Sequence, residues 1–221
     1  MGRTVKVLMT QFVTHDVRRF IVEKPRGFKF VPGQGTLIAL DKRGMKDDPH
    51  PFTPTSLGDD RVLEFTIKRY AAHHGLTEKL HRAAPGERIM IGDVFGTIRY
   101  KGPGVFIAGG AGITPFVAIL RDQARRGKLA GCSLLFSNKT AADVIVEKEL
   151  RHTLGGRSVF TLTRETRPGY ERGRINAEFL NKHVKNFRQA FYVCGPHQFA
   201  EDIIEALRKL GADPEGLVLE E

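Results

Sequence analysis

A chain of 221 residues, 41% of them hydrophobic, has room for one large or two compact domains, and it reads as a soluble globular protein without a membrane span or a secretory signal peptide. Its two cysteines, Cys132 and Cys194, are too few and too far apart in sequence for a zinc site or an iron–sulfur cluster, so no metal and no disulfide is expected and a reducing cytoplasm fits. The 35 Lys and Arg outweigh 25 Asp and Glu to give a net charge of +10, but they are scattered rather than massed, which argues against nucleic acid and for an acidic protein partner or an anionic cofactor.

Up to Lys101 the chain reads as short strands divided by turn residues: Thr4–Gln11, Val17–Glu23, Gly35–Leu40, Phe52–Ser56, Val62–Tyr70, Arg88–Gly92 and Thr97–Tyr100. That spacing predicts an antiparallel β-barrel. Two segments inside it carry chemistry. His50-Pro-Phe-Thr-Pro-Thr-Ser56 sets an aromatic ring beside a hydroxyl on a strand edge, with prolines holding the backbone extended. His73-His-Gly-Leu-Thr-Glu-Lys-Leu80 is predicted to open a short helix, where Gly75 permits close approach and Thr77 is placed to cap, a potential anion site. Taken singly, Phe52 reads first as plain core and Gly-Leu-Thr as only a cap.

Tyr100-Lys-Gly-Pro-Gly104 carries the turn residues of a boundary and divides residues 1–101 from 102–221. Beyond it strands alternate with helices: 105–108 then 114–126, 132–136 then 141–150, 158–163 then 175–183, and 190–194 then 197–210. The alternation predicts an α/β domain with a parallel sheet covered on both faces.

Val105-Phe-Ile-Ala-Gly-Gly-Ala-Gly-Ile-Thr-Pro-Phe-Val-Ala-Ile-Leu120 is the most informative stretch: a buried strand, a glycine-rich turn, then an amphipathic helix. Ile113, Phe116, Val117, Leu120 and Ala124 recur at helical spacing, Thr114, placed to cap orphan N–H groups, and Pro115 mark the helix start, and Gly127 falls where a C-terminal cap belongs. Gly109, Gly110 and Gly112 remove the side chains that would keep an anion from orphan backbone N–H groups and from the positive end of the helix dipole, so the turn can cradle a pyrophosphate. Such glycines also serve tight geometry alone, and their order is not the G-x-G-x-x-G dinucleotide fingerprint. A second apolar strand, in Phe191-Tyr-Val-Cys-Gly-Pro-His-Gln-Phe199, ends in Cys194-Gly195-Pro196 before a helix whose Phe199, Ile203, Leu207 and Leu210 share one face. Two strand ends then point at one crevice.

In that order the four segments resemble the ferredoxin–NADP reductase superfamily, which pairs an antiparallel flavin-binding barrel with a nicotinamide-dinucleotide domain, and the likeness spans nearly the whole chain. The family's Arg-x-Tyr-Ser flavin motif has His50, Phe52 and Thr53 in its places, with Pro51 between them. The resemblance implies that Phe52 stacks on the isoalloxazine and that the Thr53 hydroxyl approaches its N5. Gly75, Leu76 and Thr77 match the Gly-x-x-Ser/Thr turn that binds the flavin pyrophosphate, which implies FAD rather than FMN. Gly109, Gly110, Gly112 and Thr114 match the dinucleotide turn, and Cys194, Gly195 and Pro196 match the Cys-Gly-Pro beside the nicotinamide. Three departures carry consequences. His50 replaces the family arginine with a weaker cation at neutral pH, so flavin is expected to be held less tightly. Phe52 keeps the stacking face of the family tyrosine without its hydroxyl. The chain ends Leu219-Glu-Glu221 without the terminal aromatic that many relatives lay over the flavin, so the far face of the flavin is expected to be open.

The resemblance implies an NAD(P)H-dependent flavoprotein reductase that passes electrons to a separate carrier, an acidic ferredoxin or flavodoxin. Cys194 packs or orients the nicotinamide, since no base stands beside it in the sequence to make it a nucleophile. A flavin or ferric reductase with a diffusible acceptor, and a flavin-binding electron-transfer subunit of a larger complex, are the alternatives. For the dinucleotide two hints conflict. Ser137-Asn-Lys-Thr-Ala-Ala-Asp-Val144 resembles the Asn-x-Thr-x-x-Asp-Ile segment of NADH-dependent cytochrome reductases, whereas Thr163-Arg164 resembles the Ser-Arg pair that grips the 2′-phosphate in NADPH-dependent relatives. Arg164 tilts the expectation towards NADPH, although an arginine at a strand end also simply faces solvent.

Overall fold

The computed structural model describes residues 2–42, 44–70, 75–96, 98–213 and 217–219. Strands β1 (Arg3–Phe12), β2 (Val17–Glu23), β3 (Gly35–Leu40), β4 (His50–Phe52), β5 (Val62–Lys68) and β6 (Arg88–Phe95) make one antiparallel sheet in the order β4-β3-β6-β1-β2-β5. Alternation builds its interior: Phe20 and Val22 of β2 are buried against Leu63, Phe65 and Ile67 of β5. β1 serves two neighbours, pairing with β6 through Arg3–Lys6 and with β2 from Val7 onward. Its register shift between Val7 and Met9 bends the sheet where it changes partner. The outer strands meet through a bridge between Pro54 and Phe65 and a 2.7 Å bond from the Thr55 amide to the Glu64 carbonyl, which curls the sheet into a barrel.

The sequence pattern overran three strands here, among them β5, which stops at Lys68 rather than Tyr70. Regular strand stops at Phe52 rather than running to Ser56, because Pro54 has no N–H to extend a ladder and the chain leaves β3 to pair with β5 instead. Residues 98–100 form no strand, and Thr97 lies outside the described residues. Ile98 passes over Gly33, where an added Cβ would lie 2.1 Å from the Ile98 carbonyl oxygen. The residues predicted to open a helix at His73 and His74 also lie outside the described set, and α1 (Leu76–Leu80) begins at Leu76.

The second half is a parallel sheet of β7 (Gly104–Gly109), β8 (Ser133–Asn138), β9 (Ser158–Leu162), β10 (Glu171–Arg172), β11 (Ala190–Cys194) and β12 (Leu217–Leu219), in the order β10-β9-β8-β7-β11-β12. Helices cover both faces. Phe106, Leu134 and Phe136 point to Phe116, Ile119 and Leu150 of α2 (Thr114–Arg125) and α3 (Glu147–Leu154). Their strand neighbours Val105, Ile107 and Leu135 point the other way, to Phe179 and Ile203 of α4 (Ala177–His183) and α5 (His197–Lys209). This double burial is why the strands read as unbroken apolar runs. No helix among the described residues is long and apolar enough to cross a membrane.

Two edge strands, β10 and β12, were invisible to pattern reading because two or three residues show no period. The helix predicted over 141–150 is instead a 3-10 turn, Ala141–Asp143, followed by α3. Between them Val144 and Ile145 are buried, and Val146 takes a left-handed φ of 47°, which breaks the run. The two halves share packing: Val17 and Ile98 of the barrel belong to the same buried cluster as Phe106, Phe116 and Ile119. The buried Tyr192 hydroxyl ties down the seam, accepting from the Lys101 and Gly102 amides at 2.9 and 3.1 Å and donating to the Gly102 carbonyl at 2.7 Å.

Candidate active site

The central strand β7 has β8 on one side and β11 on the other, so chain connections leave its carboxyl end in opposite directions and open a crevice there. β7 runs through Gly109 into a 3-10 turn, Gly110–Ile113, and then into α2. The three glycines do different work. Gly110 takes a φ of +53°, a conformation costly for other residues, and an added Cβ would meet nothing within 4 Å. Gly112 lies against the end of β11, where a Cβ would sit 2.4 Å from the Cys194 carbonyl oxygen and 2.6 Å from the Gly195 nitrogen. Gly109 and Gly195 both press on the Phe199 ring, with added Cβ atoms 3.0 and 2.6 Å from its Cδ1. Cradle and tight packing are therefore both present.

Thr114 does not cap the helix. Its hydroxyl donates to the Ala111 carbonyl at 3.0 Å, and neither the 3-10 turn nor α2 has a side-chain cap. Among the described residues no cap side chain competes with an anion for the amides at the start of this helix, the condition a pyrophosphate needs.

A cleft of about 570 Å³ runs from this turn to the barrel. Its barrel wall holds Pro51, Phe52 and Thr53 at the end of β4, then Thr66, Lys68 and Tyr70 along and after β5. Its other wall holds Gly109, Gly110, Gly112 and Thr114 with Cys194, Gly195 and Pro196. Phe52 packs its inner side on the barrel core, whereas Thr53 is only 8% exposed. Thr53 thus shares the cleft with Gly109, 56 residues further along the chain, and with Cys194, 141 residues further. Thr77 also lines the cleft, but its hydroxyl accepts from the Tyr70 amide at 3.2 Å and α1 has no side-chain cap, so the capping role read from the sequence is replaced by a tie to the end of β5.

Four expected site residues, His50, Gly75, Leu76 and Arg164, stand apart from the cleft lining. His50 is outside the cleft, its side chain 46% exposed and its Nε2 3.2 Å from Asp48 Oδ1. Leu76 is buried in the barrel core, which leaves its backbone and that of Gly75, the extended N-cap of α1, as the groups that could face a ligand. Arg164 lies in an adjoining cavity of about 310 Å³ with Lys139, Thr163, Gly173 and Arg174. Lys139 and Thr163 line both cavities, and the Arg164 amide donates to the Lys139 carbonyl at 2.9 Å, setting the two basic residues side by side on neighbouring strand ends.

The segment that hinted at NADH has a structural use. The Asp143 carboxylate accepts from the Thr140 amide at 2.8 Å and from its hydroxyl at 2.7 Å, a capping box for the 3-10 turn. Asp143 also stands 3.9 Å from His15 Nε2 of the β1–β2 turn, and His15 with Asp16 completes a group of ligating types within 4.8 Å of one another. The Lys68 ammonium already sits 2.9 Å from Asp16 Oδ2. Burial raises the Asp16 carboxyl, but Lys68 and the Thr14 hydroxyl outweigh it and hold the group below its usual range. Cys132 and Cys194 are buried and not joined to each other.

Several lining residues escaped sequence reading. Thr66 and Lys68 belong to a strand whose pattern told only of its inner face. Phe199 looked like core on a helix but is the wedge between two glycine turns. Lys139 and Arg174 join Arg164 only once β8, β9 and β10 lie side by side; the basic Arg172-Gly-Arg174 run was the available signal.

The cleft's two walls correspond to two known domain families. Residues 3–102 match the FAD-binding domain family and residues 106–205 the oxidoreductase NAD-binding domain family. The chain is 28% identical to NADH-cytochrome b5 reductase 2 of Mycosarcoma maydis over 86% of its own length and 60% of that protein's. It is 24% identical to the ferredoxin–NAD(P)+ reductase component of a Ralstonia naphthalene 1,2-dioxygenase/salicylate 5-hydroxylase system, over 96% and 67% of the two chains. The chain thus spans about two thirds or less of the length of these curated relatives. In fold it is similar to the flavohem-like FAD/NAD binding domain of nitric oxide dioxygenase from Vibrio cholerae, with a TM-score of 0.89, 22% identity, and 99% and 98% of the two chains covered. An FAD-binding barrel followed by an NAD-binding α/β domain, meeting at a shared cleft, places this chain in the ferredoxin–NADP reductase superfamily.

Proposed function

We propose that the protein is an NAD(P)H-dependent flavoprotein reductase that passes electrons from a nicotinamide dinucleotide, through FAD, to a small carrier. One observation carries this reading: Phe52 and Thr53 of the barrel and Gly110, Cys194 and Pro196 of the α/β domain line a single cleft. When bound there, the two cofactors supply the chemistry, a hydride moving from nicotinamide to the flavin. The chain supplies placement. Phe52 offers a ring face braced from behind by the barrel, and Thr53 a shielded hydroxyl for the reacting edge of the flavin. The 110–113 turn holds the pyrophosphate, and the Cys194–Pro196 backbone, packed on Gly112, shapes the nicotinamide end. The visible spectrum of the purified protein before and after anaerobic NADH and NADPH tests the reading. A yellow protein bleached by either dinucleotide is the expected result, and a protein that no flavin colours overturns it.

The roles of the two barrel residues separate in kinetics. Phe52→Ala is expected to weaken flavin binding by about 1–3 kcal/mol through loss of a stacked ring, while Thr53→Ala retains flavin and slows its reduction. Flavin titration of the apoprotein and stopped-flow bleaching measure the two effects. Equal reduction rates in wild type and Thr53→Ala would remove Thr53 from the mechanism.

For the dinucleotide, the basic cavity favours NADPH. Lys139, Arg164 and Arg174 converge beyond the cleft on the β8–β9 side, away from Cys194, where the adenosine end of an extended dinucleotide lies if its pyrophosphate is on β7. The competing hint is spent on a capping box. Arg164→Ala is expected to raise KM for NADPH about tenfold or more, the loss of one charge-assisted phosphate bond, and to leave KM for NADH nearly unchanged. Equal increases for both dinucleotides count against a phosphate-binding role.

A further inference from the structure

Arg121 of α2 lies about two turns beyond the glycine turn and bonds to both halves of the molecule. Its Nε and Nη2 donate to the two Glu149 carboxylate oxygens of α3 at 2.5 and 2.8 Å, a bidentate pair within the α/β domain. Its Nη1 crosses to the barrel, donating to Glu64 Oε1 at 2.6 Å and to the Thr55 carbonyl at 2.7 Å. Glu64 is itself held by the Thr55 hydroxyl at 2.7 Å and lies 3.4 Å from Arg19 Nε. Burial raises the Glu64 carboxyl, but Arg121, the Thr55 hydroxyl and Arg19 together hold it below its usual range. Burial likewise works against the Arg121 charge, yet Glu149 and Glu64 keep the guanidinium firmly protonated. One turn further, Arg125 pairs with the Asp59 carboxylate at 2.8 Å, a more exposed second tie between the same helix and the same barrel segment.

The position of these bonds matters more than their number. Thr55 is two residues beyond Thr53 on the flavin wall, and α2 is the rigid continuation of Gly110–Ile113 on the dinucleotide wall. One planar fork, oriented by Glu149 and satisfied at every nitrogen, therefore links the two walls. We propose that Arg121 is a positioning residue for hydride transfer, setting the distance between the flavin-bearing strand and the dinucleotide-bearing helix. Reaction between two bound partners depends steeply on their separation, and a displacement of about 1 Å can cost about 100-fold in rate. Lysine cannot substitute, since a point ammonium lacks the fork that reaches Glu149 and the barrel together.

The inference rests on the reductase reading, and stopped-flow bleaching at saturating dinucleotide tests the two apart. Arg121→Lys is expected to lower the limiting rate of flavin reduction about 10- to 100-fold while flavin content and dinucleotide Kd stay within about threefold of wild type. A matched pair of milder changes guards against loss of folding. Glu64→Gln weakens the barrel leg of the clamp and is expected to slow reduction several-fold, and more than Glu149→Gln, which makes the same chemical change in the intradomain leg that only orients the fork. Melting temperature is recorded for all three, because a merely structural tie lowers it without moving the limiting rate. A wild-type limiting rate in Arg121→Lys, or equal slowing by Glu64→Gln and Glu149→Gln, overturns the inference. Wild-type protein that neither NADH nor NADPH bleaches would instead overturn the reductase reading itself.

Discussion

Gly112→Ala is expected to abolish flavin reduction by dinucleotide and to lower the melting temperature by roughly 5–10 °C, the consequence of overpacking where two strand ends touch. The new methyl carbon would lie 2.4, 2.5 and 2.6 Å from the Cys194 oxygen, the Cys194 carbon and the Gly195 nitrogen. All three are backbone atoms of β11 and the turn after it, so no side chain can swing aside. Relief requires the glycine turn and the Cys194–Pro196 segment to part, and those are the two pieces proposed to grip the pyrophosphate and the nicotinamide. Gly110→Ala is the informative comparison. It meets no atom within 4 Å but must hold a φ of +53°, a penalty of about 1–2 kcal/mol without any collision. It is expected to melt closer to wild type while losing dinucleotide affinity. Differential scanning calorimetry and single-turnover bleaching measure both variants, and a Gly112→Ala protein with wild-type stability and rate would refute the packing.

Reduction of an acidic ferredoxin or flavodoxin by this protein is expected to lose one to three powers of ten in second-order rate between about 0.02 and 0.5 M salt. The excess of 35 basic over 25 acidic side chains supplies a long-range attraction to a negative carrier, and steered association is screened within a Debye length of about 10 Å at 0.1 M. Reduction of the flavin at saturating dinucleotide is a step between bound partners and should change little over the same range. Stopped-flow mixing of prereduced protein with carrier isolates the encounter. A rate independent of salt, together with faster turnover of free flavin or ferric chelates, would assign the acceptor to the diffusible class instead.

The elements most legible in the sequence were those with long, unambiguous patterns. β2, β3 and β11 lie where alternation or apolar runs placed them, and Gly127 ends its helix at a φ of +67°. Patterns failed where tertiary contacts override local preference: at Pro54, where the chain changes partner strand; at Val146, where buried Val144 and Ile145 interrupt a helix; and at the two-residue β10. Thr77 and Thr114 were read as caps because a hydroxyl near a helix start ordinarily bonds the nearest free amide. Each has a different bond, one accepting from Tyr70 and one donating to Ala111.

By itself the sequence determined that a barrel precedes a parallel α/β sheet, because strand alternation, glycine turns and helix periodicity are local properties of the chain, while the assignment of flavin to the first half and dinucleotide to the second rested on the resemblance of four ordered motifs to a known family. Only the tertiary structure decided how the segments meet. It put Phe52 and Thr53 opposite Cys194, made Gly112 a packing contact, gathered Lys139, Arg164 and Arg174 around one cavity, and let Arg121 reach Thr55, 66 residues away in the chain. Those relations depend on strand order and on the docking of two cores through Val17 and Ile98, which no pattern along the chain encodes.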